Sequence, residues 1–234
     1  MHSNDVGVVL IHGAWADGSS WSKIIRPLAA DGIRVAAPPL PLTSFQDDVG
    51  ALDRALERMG GTVVLAGHAY GGAVIGGTRS EKVRALVYVA ALAPDEGETV
   101  ANVFYRTAPH PQAPKLAPDA HGSIYLPDLA FGTAFAQNAG AEELAVLAAV
   151  QKPISPDCIT VPVRRPLWKD CPAWFLVAEE DRMIAGENQR FMAERMRARV
   201  RSHPVDHVAM LTAPGVVLDI LHEAIAAIRT GNAA

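Results

Sequence analysis

Thr62-Val63-Val64-Leu65-Ala66-Gly67-His68-Ala69-Tyr70-Gly71-Gly72 is the stretch on which the reading of the whole chain turns. Residues 62–66 are apolar and mostly β-branched, so they read as a strand. It runs without a spacer into a glycine-rich bend, and a helix follows. Glycine at 67 and 71 makes sense if position 69 sits at the tip of a sharp turn. A side chain two positions before or after the tip would collide with the neighbouring strand or helix. Glycine-rich turns after strands also cradle phosphates, but this one has neither G-x-G-x-x-G nor GK[ST], which argues against a nucleotide site.

Outward from this bend, short β-rich runs alternate with amphipathic helical stretches, the pattern of a parallel sheet with crossover helices. Val6–Ile11 reads as a strand buried on both faces. A loop rich in Gly, Asp and Ser follows over 12–20. Trp21, Ile24, Ile25 and Leu28 then fall at helical spacing, with Gly32 closing the helix. Further strands are expected at 33–37, 85–90, 173–177 and 200–203. Thr43 or Ser44 can cap a helix whose buried stripe is Phe45, Val49, Leu52, Leu56 and Met59. Other helices are expected at 188–196 and at the end of the chain, the last burying Val217, Ile220, Leu221, Ala224 and Ile228. Between Pro94 and Pro172 the alternation breaks into prolines and short helical pieces, the best of them at 141–150. The expected architecture is α/β: a mostly parallel sheet with helices on both faces, built from residues 1–94 and 173–234. Residues 95–172 are an insertion forming a helical cap over the sheet's C-terminal edge, within a single domain.

The 234 residues suffice for one substantial core. A net charge of −4 with both signs scattered leaves no basic stripe for nucleic acid. Cys158 and Cys171 form neither a CxxC pair nor a Cys/His cluster, so the expectation is no disulfide framework, no zinc and a reducing cytosol. Met1-His2-Ser3-Asn4-Asp5 has no basic n-region, and Val6–Ile11 is too short for a signal or a membrane span. No other apolar run reaches ~18 residues. A soluble cytoplasmic protein is expected, and the sequence neither requires nor excludes a homodimer.

Strand–Gly67-x-x-x-Gly71–helix matches the G-x-S-x-G nucleophile elbow, with alanine at the middle position. His12-Gly13-Ala14-Trp15 follows the first strand, where such an arrangement places its second oxyanion donor. The backbone N–H groups of Ala14 and Tyr70 would then share a carbonyl oxygen that gains charge. Asp181 lies just past the strand at 173–177, and His207 follows the last short strand. The chain order of elbow, acid and histidine fits. Ser19, Ser20, His12 and His68 read as structural, His12 bonding backbone in its loop and His68 packing behind the elbow. Asp206 reads as a solvent-facing loop acid. His110, His121 and His203 lack metal-ligand spacing, so no metal is expected. Among the aromatic residues, Trp15, Phe104 and Trp168 are the candidates for contact with a substrate.

Five segments carry a family resemblance: His-Gly-Ala-Trp-Ala-Asp-Gly-Ser-Ser-Trp (12–21), Gly-His-Ala-Tyr-Gly-Gly (67–72), Leu-Val-Tyr-Val-Ala-Ala (86–91), Glu-Asp-Arg-Met-Ile (180–184) and Asp-His-Val-Ala-Met-Leu (206–211). They resemble bacterial hydrolases related to plant methyl-salicylate esterases and hydroxynitrile lyases. The resemblance spans nearly the whole chain and is weakest over 100–165. It implies an α/β-hydrolase fold without cofactor, acting on small esters under a helical cap. It also implies Ala69 at the nucleophile position, His207 as base, Asp181 as its orienting acid, and Ala14 with Tyr70 as oxyanion donors. The departure is Ala69, where the family pattern has serine. Without a hydroxyl there is no acyl-enzyme, and loss of such a nucleophile costs ~10⁶ in kcat. Three readings follow: a hydrolase silenced by Ser→Ala; a natural variant in which His207 and Asp181 move protons on a carbonyl compound, as a lyase or decarboxylase does, or activate water; or a binder of a small molecule.

Overall fold

The computed structural model describes residues 6–231, so Met1–Asp5 and the expectation placed on them lie outside the described residues. Six strands form one sheet: β1 (Val6–Ile11), β2 (Val35–Ala36), β3 (Thr62–His68), β4 (Val83–Val89), β5 (Ala173–Ala178) and β6 (Arg199–His203). Their spatial order is β2-β1-β3-β4-β5-β6 and every pairing is parallel. β1 and β5 are buried along their whole length and β3 and β4 along nearly all of theirs, as strands covered on both faces must be.

Between them run α1 (Ser22–Ala30), α2 (Phe45–Arg58), α3 (Tyr70–Gly77) and, after residues 90–172, α7 (Gly186–Arg195), α8 (Ala209–Thr212) and α9 (Pro214–Thr230). Residues 90–172 carry α4 (Val100–Phe104), α5 (Asp128–Ala130), a π-turn at Phe131–Phe135 and α6 (Ala141–Ala149), joined by irregular chain. The chain steps from β1 outward to β2, then back across β1 to β3 and onward to β6. Right-handed crossovers therefore put α1 on one face and α2, α3 and α7 on the other. The contacts agree: α9 packs on β1, β3, β4 and β5 and against α1, while α2 packs on α3. The reversal falls between β1 and β3. Loops leaving the C-terminal ends of those two strands diverge to opposite faces, and a crevice opens between them.

The clearest difference in bounds from the sequence pattern is at β2. The strand expected at 33–37 pairs only at Val8–Val35 and Val9–Ala36. Pro38 and Pro39 follow at once, and proline has no N–H for a ladder. Along α2, Ser44 is the cap, its hydroxyl accepting the Asp47 N–H. The stripe of that helix contains a carboxylate, Asp48, which is fully buried, while Phe45 and Val49 are only half-buried. β6, at the open edge, is largely exposed and carries Arg199 and Arg201, charges that discourage a further strand from pairing. No described helix is long and apolar enough to cross a membrane.

Candidate active site

β3 ends at His68 and α3 begins at Tyr70, which leaves Ala69 alone to turn the chain. It does so at φ 48°, ψ −119°, a conformation side-chain-bearing residues seldom adopt. Three backbone bonds hold it there. The Ala69 N–H donates to the Val89 carbonyl (3.3 Å), and its own carbonyl accepts from the amides of Gly72 (3.1 Å) and Leu92 (2.9 Å). Gly71 shows why the flanks need glycine. A Cβ there would lie 2.6 Å from the Ile11 carbonyl oxygen and 2.7 Å from that of His12. The loop leaving β1 presses equally close: a Cβ on Gly13 would meet the Ala69 methyl at 2.9 Å.

That loop is fixed by His12. Its Nδ1–H donates to the Gly13 carbonyl (2.8 Å) and its Nε2 accepts the Leu40 N–H (2.9 Å), an arrangement that needs the neutral ring. Burial lowers its pKa accordingly. The next residues, Ala14 and Trp15, line the crevice. The backbone N–H groups of Ala14 and Tyr70 donate to no protein acceptor among the described residues. Trp15 is held by its own N–H to Lys152 O (3.1 Å) and its indole N–H to Ile124 O (2.9 Å), which ties the loop to residues 124–152.

His207 is buried, and its Nδ1 lies 2.8 Å from Asp181 Oδ2. With Nδ1–H donating to the carboxylate, Nε2 carries the lone pair. Asp181 in turn accepts from the amides of Met183 (2.7 Å) and Ile184 (2.9 Å) and from Gln189 Nε2 (2.8 Å). Gln189 is oriented by the Ala178 N–H at the end of β5, so the acid is clamped to the sheet. On the other side, His68 Nε2–H donates to the His207 carbonyl (2.8 Å), and the two rings lie 4.6 Å apart. Burial, reinforced by the neighbouring His207, holds the His68 pKa well below the ordinary histidine range. His68 is thus a neutral ring packed behind the elbow.

A cavity of about 80 Å³ joins these elements. Ala69, His207, Ala14, Trp15, Phe104 and Met183 are among its walls, and among the described residues no Lys, Arg, Asp or Glu side chain lines it. Trp168 does not reach it. It lies beside Gly72 and Gly76 in a separate hollow, its indole N–H on the Pro94 carbonyl (3.3 Å), and packs residues 94–168 onto α3. Asp206 is also placed differently from its expectation. It is fully buried, accepting from the Thr212 hydroxyl (2.5 Å) and the Asn138 N–H (3.0 Å). It faces inward because Asn138 and the π-turn close over the His207 loop, a long-range contact with no local signal. Burial raises its pKa. Asp48 is a buried polar residue that the sequence pattern did not single out. It sits at the i+3 position of its helix stripe, and that spacing was the available signal.

A crevice at the reversal of a parallel sheet, an elbow and a paired acid and histidine define an α/β-hydrolase fold. The chain belongs to the alpha/beta hydrolase family, whose sequence model matches residues 8–220. Among curated proteins it is 30% identical over 119 residues to a carbendazim hydrolyzing esterase of Nocardioides sp. (strain SG-4G). That match covers 43% of this chain and 48% of the relative, so it spans under half of either. Polyneuridine aldehyde esterase superposes with TM-score 0.82 at 21% identity, over 94% of this chain and 98% of that one. A tomato methylketone synthase I variant, complexed with beta-ketoheptanoate, superposes with TM-score 0.81 at 20% identity, over 96% and 99%. At such identities the likeness is one of fold.

Proposed function

We propose that the chain takes a small, mostly apolar carbonyl compound into the cavity above Ala69 and acts on it by proton transfer at His207, without a covalent acyl intermediate. One observation carries this reading: His207, clamped by Asp181, borders the same cavity as a position-69 side chain that is only a methyl group. In this reading the substrate oxygen lies between the amides of Ala14 and Tyr70. Residues 95–172 serve as the cap, with Phe104 on its inner wall. With an ester, His207 Nε2 takes a proton from water as the oxygen bonds to the carbonyl carbon. The amides bind the resulting oxyanion, and the imidazolium returns the proton to the departing alkoxide. Asp181 stabilises the imidazolium and fixes the tautomer. The two free thiols, Cys158 and Cys171, fit a reducing compartment such as the cytoplasm.

The likeness to a methylketone synthase holding beta-ketoheptanoate favours a second use of the same groups. A β-keto acid bound with its ketone at the two amides can lose carbon dioxide. His207 Nε2 first takes the proton of the bound carboxylic acid; the breaking C–C bond then leaves its electron pair in an enolate whose oxygen the amides hold, and the imidazolium delivers that proton to carbon. A panel of p-nitrophenyl esters and β-keto acids tests both uses. Turnover in the parent chain that disappears in His207→Ala supports the proposal. No turnover of either class, combined with tight retention of a carbonyl ligand, replaces it with a binding function.

A further inference from the structure

Beneath the elbow lies a second polar cluster, and no step above uses it. Asp48 on α2 is fully buried. Its Oδ2 accepts the Tyr70 hydroxyl at 2.7 Å and lies 3.6 Å from the Cys158 thiol, and its Oδ1 accepts the Leu42 N–H at 2.7 Å. These four groups come from α2, the first residue of α3, the short helical turn Pro156–Cys158, and the loop after β2. Leu42 is itself held at φ 58°, and its carbonyl accepts the Ser155 N–H at 2.9 Å. Lys152 is the nearby cation, its ammonium on the Leu40 carbonyl at 2.5 Å.

A buried carboxylate is costly unless well bonded, and both oxygens of Asp48 are bonded. What this one holds is the ring of the residue that follows Ala69. Tyr70 is nearly inaccessible, so its ring and its backbone cannot move independently. We propose that Asp48 is a positioning residue: through the Tyr70 hydroxyl, with Cys158 as a further donor, it fixes the direction of the Tyr70 backbone N–H at the cavity. This rests on the carbonyl-site reading above and adds what sets one of its two donors. Burial pushes the Cys158 thiol up to about 12, so sulfur remains a neutral donor to the carboxylate.

The test uses the whole chain labelled with ¹⁵N, and 2-heptanone as a neutral, unreactive ketone probe. In the parent, added ketone shifts the Tyr70 and Ala14 amide resonances. Asp48→Asn displaces the Tyr70 amide resonance in the free protein, and Asp48→Asn and Tyr70→Phe each weaken ketone binding about tenfold, a size suited to a donor misdirected but not removed. In the double variant the two losses of affinity do not add, because both break one link. An unmoved Tyr70 amide in Asp48→Asn, or unchanged ketone affinity in both single variants, overturns the proposal. Where Asp48→Asn fails to fold, Tyr70→Phe, which removes one oxygen, carries the test through ketone affinity. If the amide moves in Asp48→Asn but no form binds ketone, the carbonyl-site reading fails while the positioning role stands.

Discussion

Ala69→Ser is the sharpest perturbation of the site. The serine Oγ replaces one methyl hydrogen of a side chain that already borders the cavity, and it occupies the same strained turn as alanine. The groups around it are those that the proposed site would use. His207 is bonded to Asp181 at 2.8 Å, Asp181 accepts three further donors, and two amides lack protein partners among the described residues. Residual catalysis from those groups is common to both forms, so the change isolates the nucleophile. In an aligned triad that term is worth ~10⁶ in kcat, or about 8 kcal/mol of barrier at 1.36 kcal/mol per decade. Imperfect alignment reduces it, and a gain of at least about 10³ on p-nitrophenyl butyrate is expected. A stopped-flow trace should show a burst of one equivalent of nitrophenol per chain, and adding His207→Ala to the Ala69→Ser variant should erase the gain. A folded Ala69→Ser protein no more active than the parent would refute the reasoning, since position 69 would then not face the imidazole.

Three more consequences can be checked on stability and fluorescence. Gly71→Ala drives a methyl to 2.6 Å from the Ile11 carbonyl oxygen, and backbone must move to admit it; a loss of about 3 kcal/mol is expected, read from the urea midpoint at unchanged m-value. Asp206, raised by burial, holds its proton more tightly folded than unfolded, so its share of stability falls as pH rises from the ordinary aspartate range through its folded value. Asp206→Asn lacks that slope. Variant minus parent stability should therefore rise as pH climbs above the ordinary aspartate range, and a pH-independent difference would count against the assignment. Finally, Trp15 lines the cavity whereas Trp168 sits in a separate hollow, so fluorescence quenching by bound ketone should vanish in Trp15→Phe and persist in Trp168→Phe.

The parts of the molecule legible in the sequence are those with local causes. The four central strands, β1, β3, β4 and β5, are visible as apolar runs, because central parallel strands are apolar on both faces. The bend at 67–72 is visible because only glycine tolerates backbone carbonyls at 2.6 Å from where a Cβ would be. The meeting of His207 with Asp181 was legible from chain order within the family pattern, although the two lie 26 residues apart. Trp168 and Asp206 were not legible. Which way an aromatic or a carboxylate faces in an irregular segment is settled by partners such as Pro94 and Asn138, tens of residues away. Asp48 lies between these cases, since its place in the α2 stripe was visible but its partner Tyr70 was not.

The geometry at Ala69 also bears on what the bend is for. Holding a non-glycine residue at φ 48°, ψ −119° costs about 1–3 kcal/mol, and glycine at that position would relieve most of it. In an enzyme with a nucleophilic serine that strain is explained by the need to project a hydroxyl. Here the side chain is a methyl, yet the turn is still pinned by three backbone bonds, and the carboxylate that holds His207 still accepts three further donors. A strained turn also fixes the direction of the amide that follows it, and that function survives the loss of the hydroxyl. The bonds on Ala69, the link from Tyr70 to Asp48 and the close approach of Gly13 all constrain the two backbone N–H groups at the crevice. In the proposed reading the elbow of the present chain would serve to aim hydrogen-bond donors, and proton transfer at the site would fall to His207.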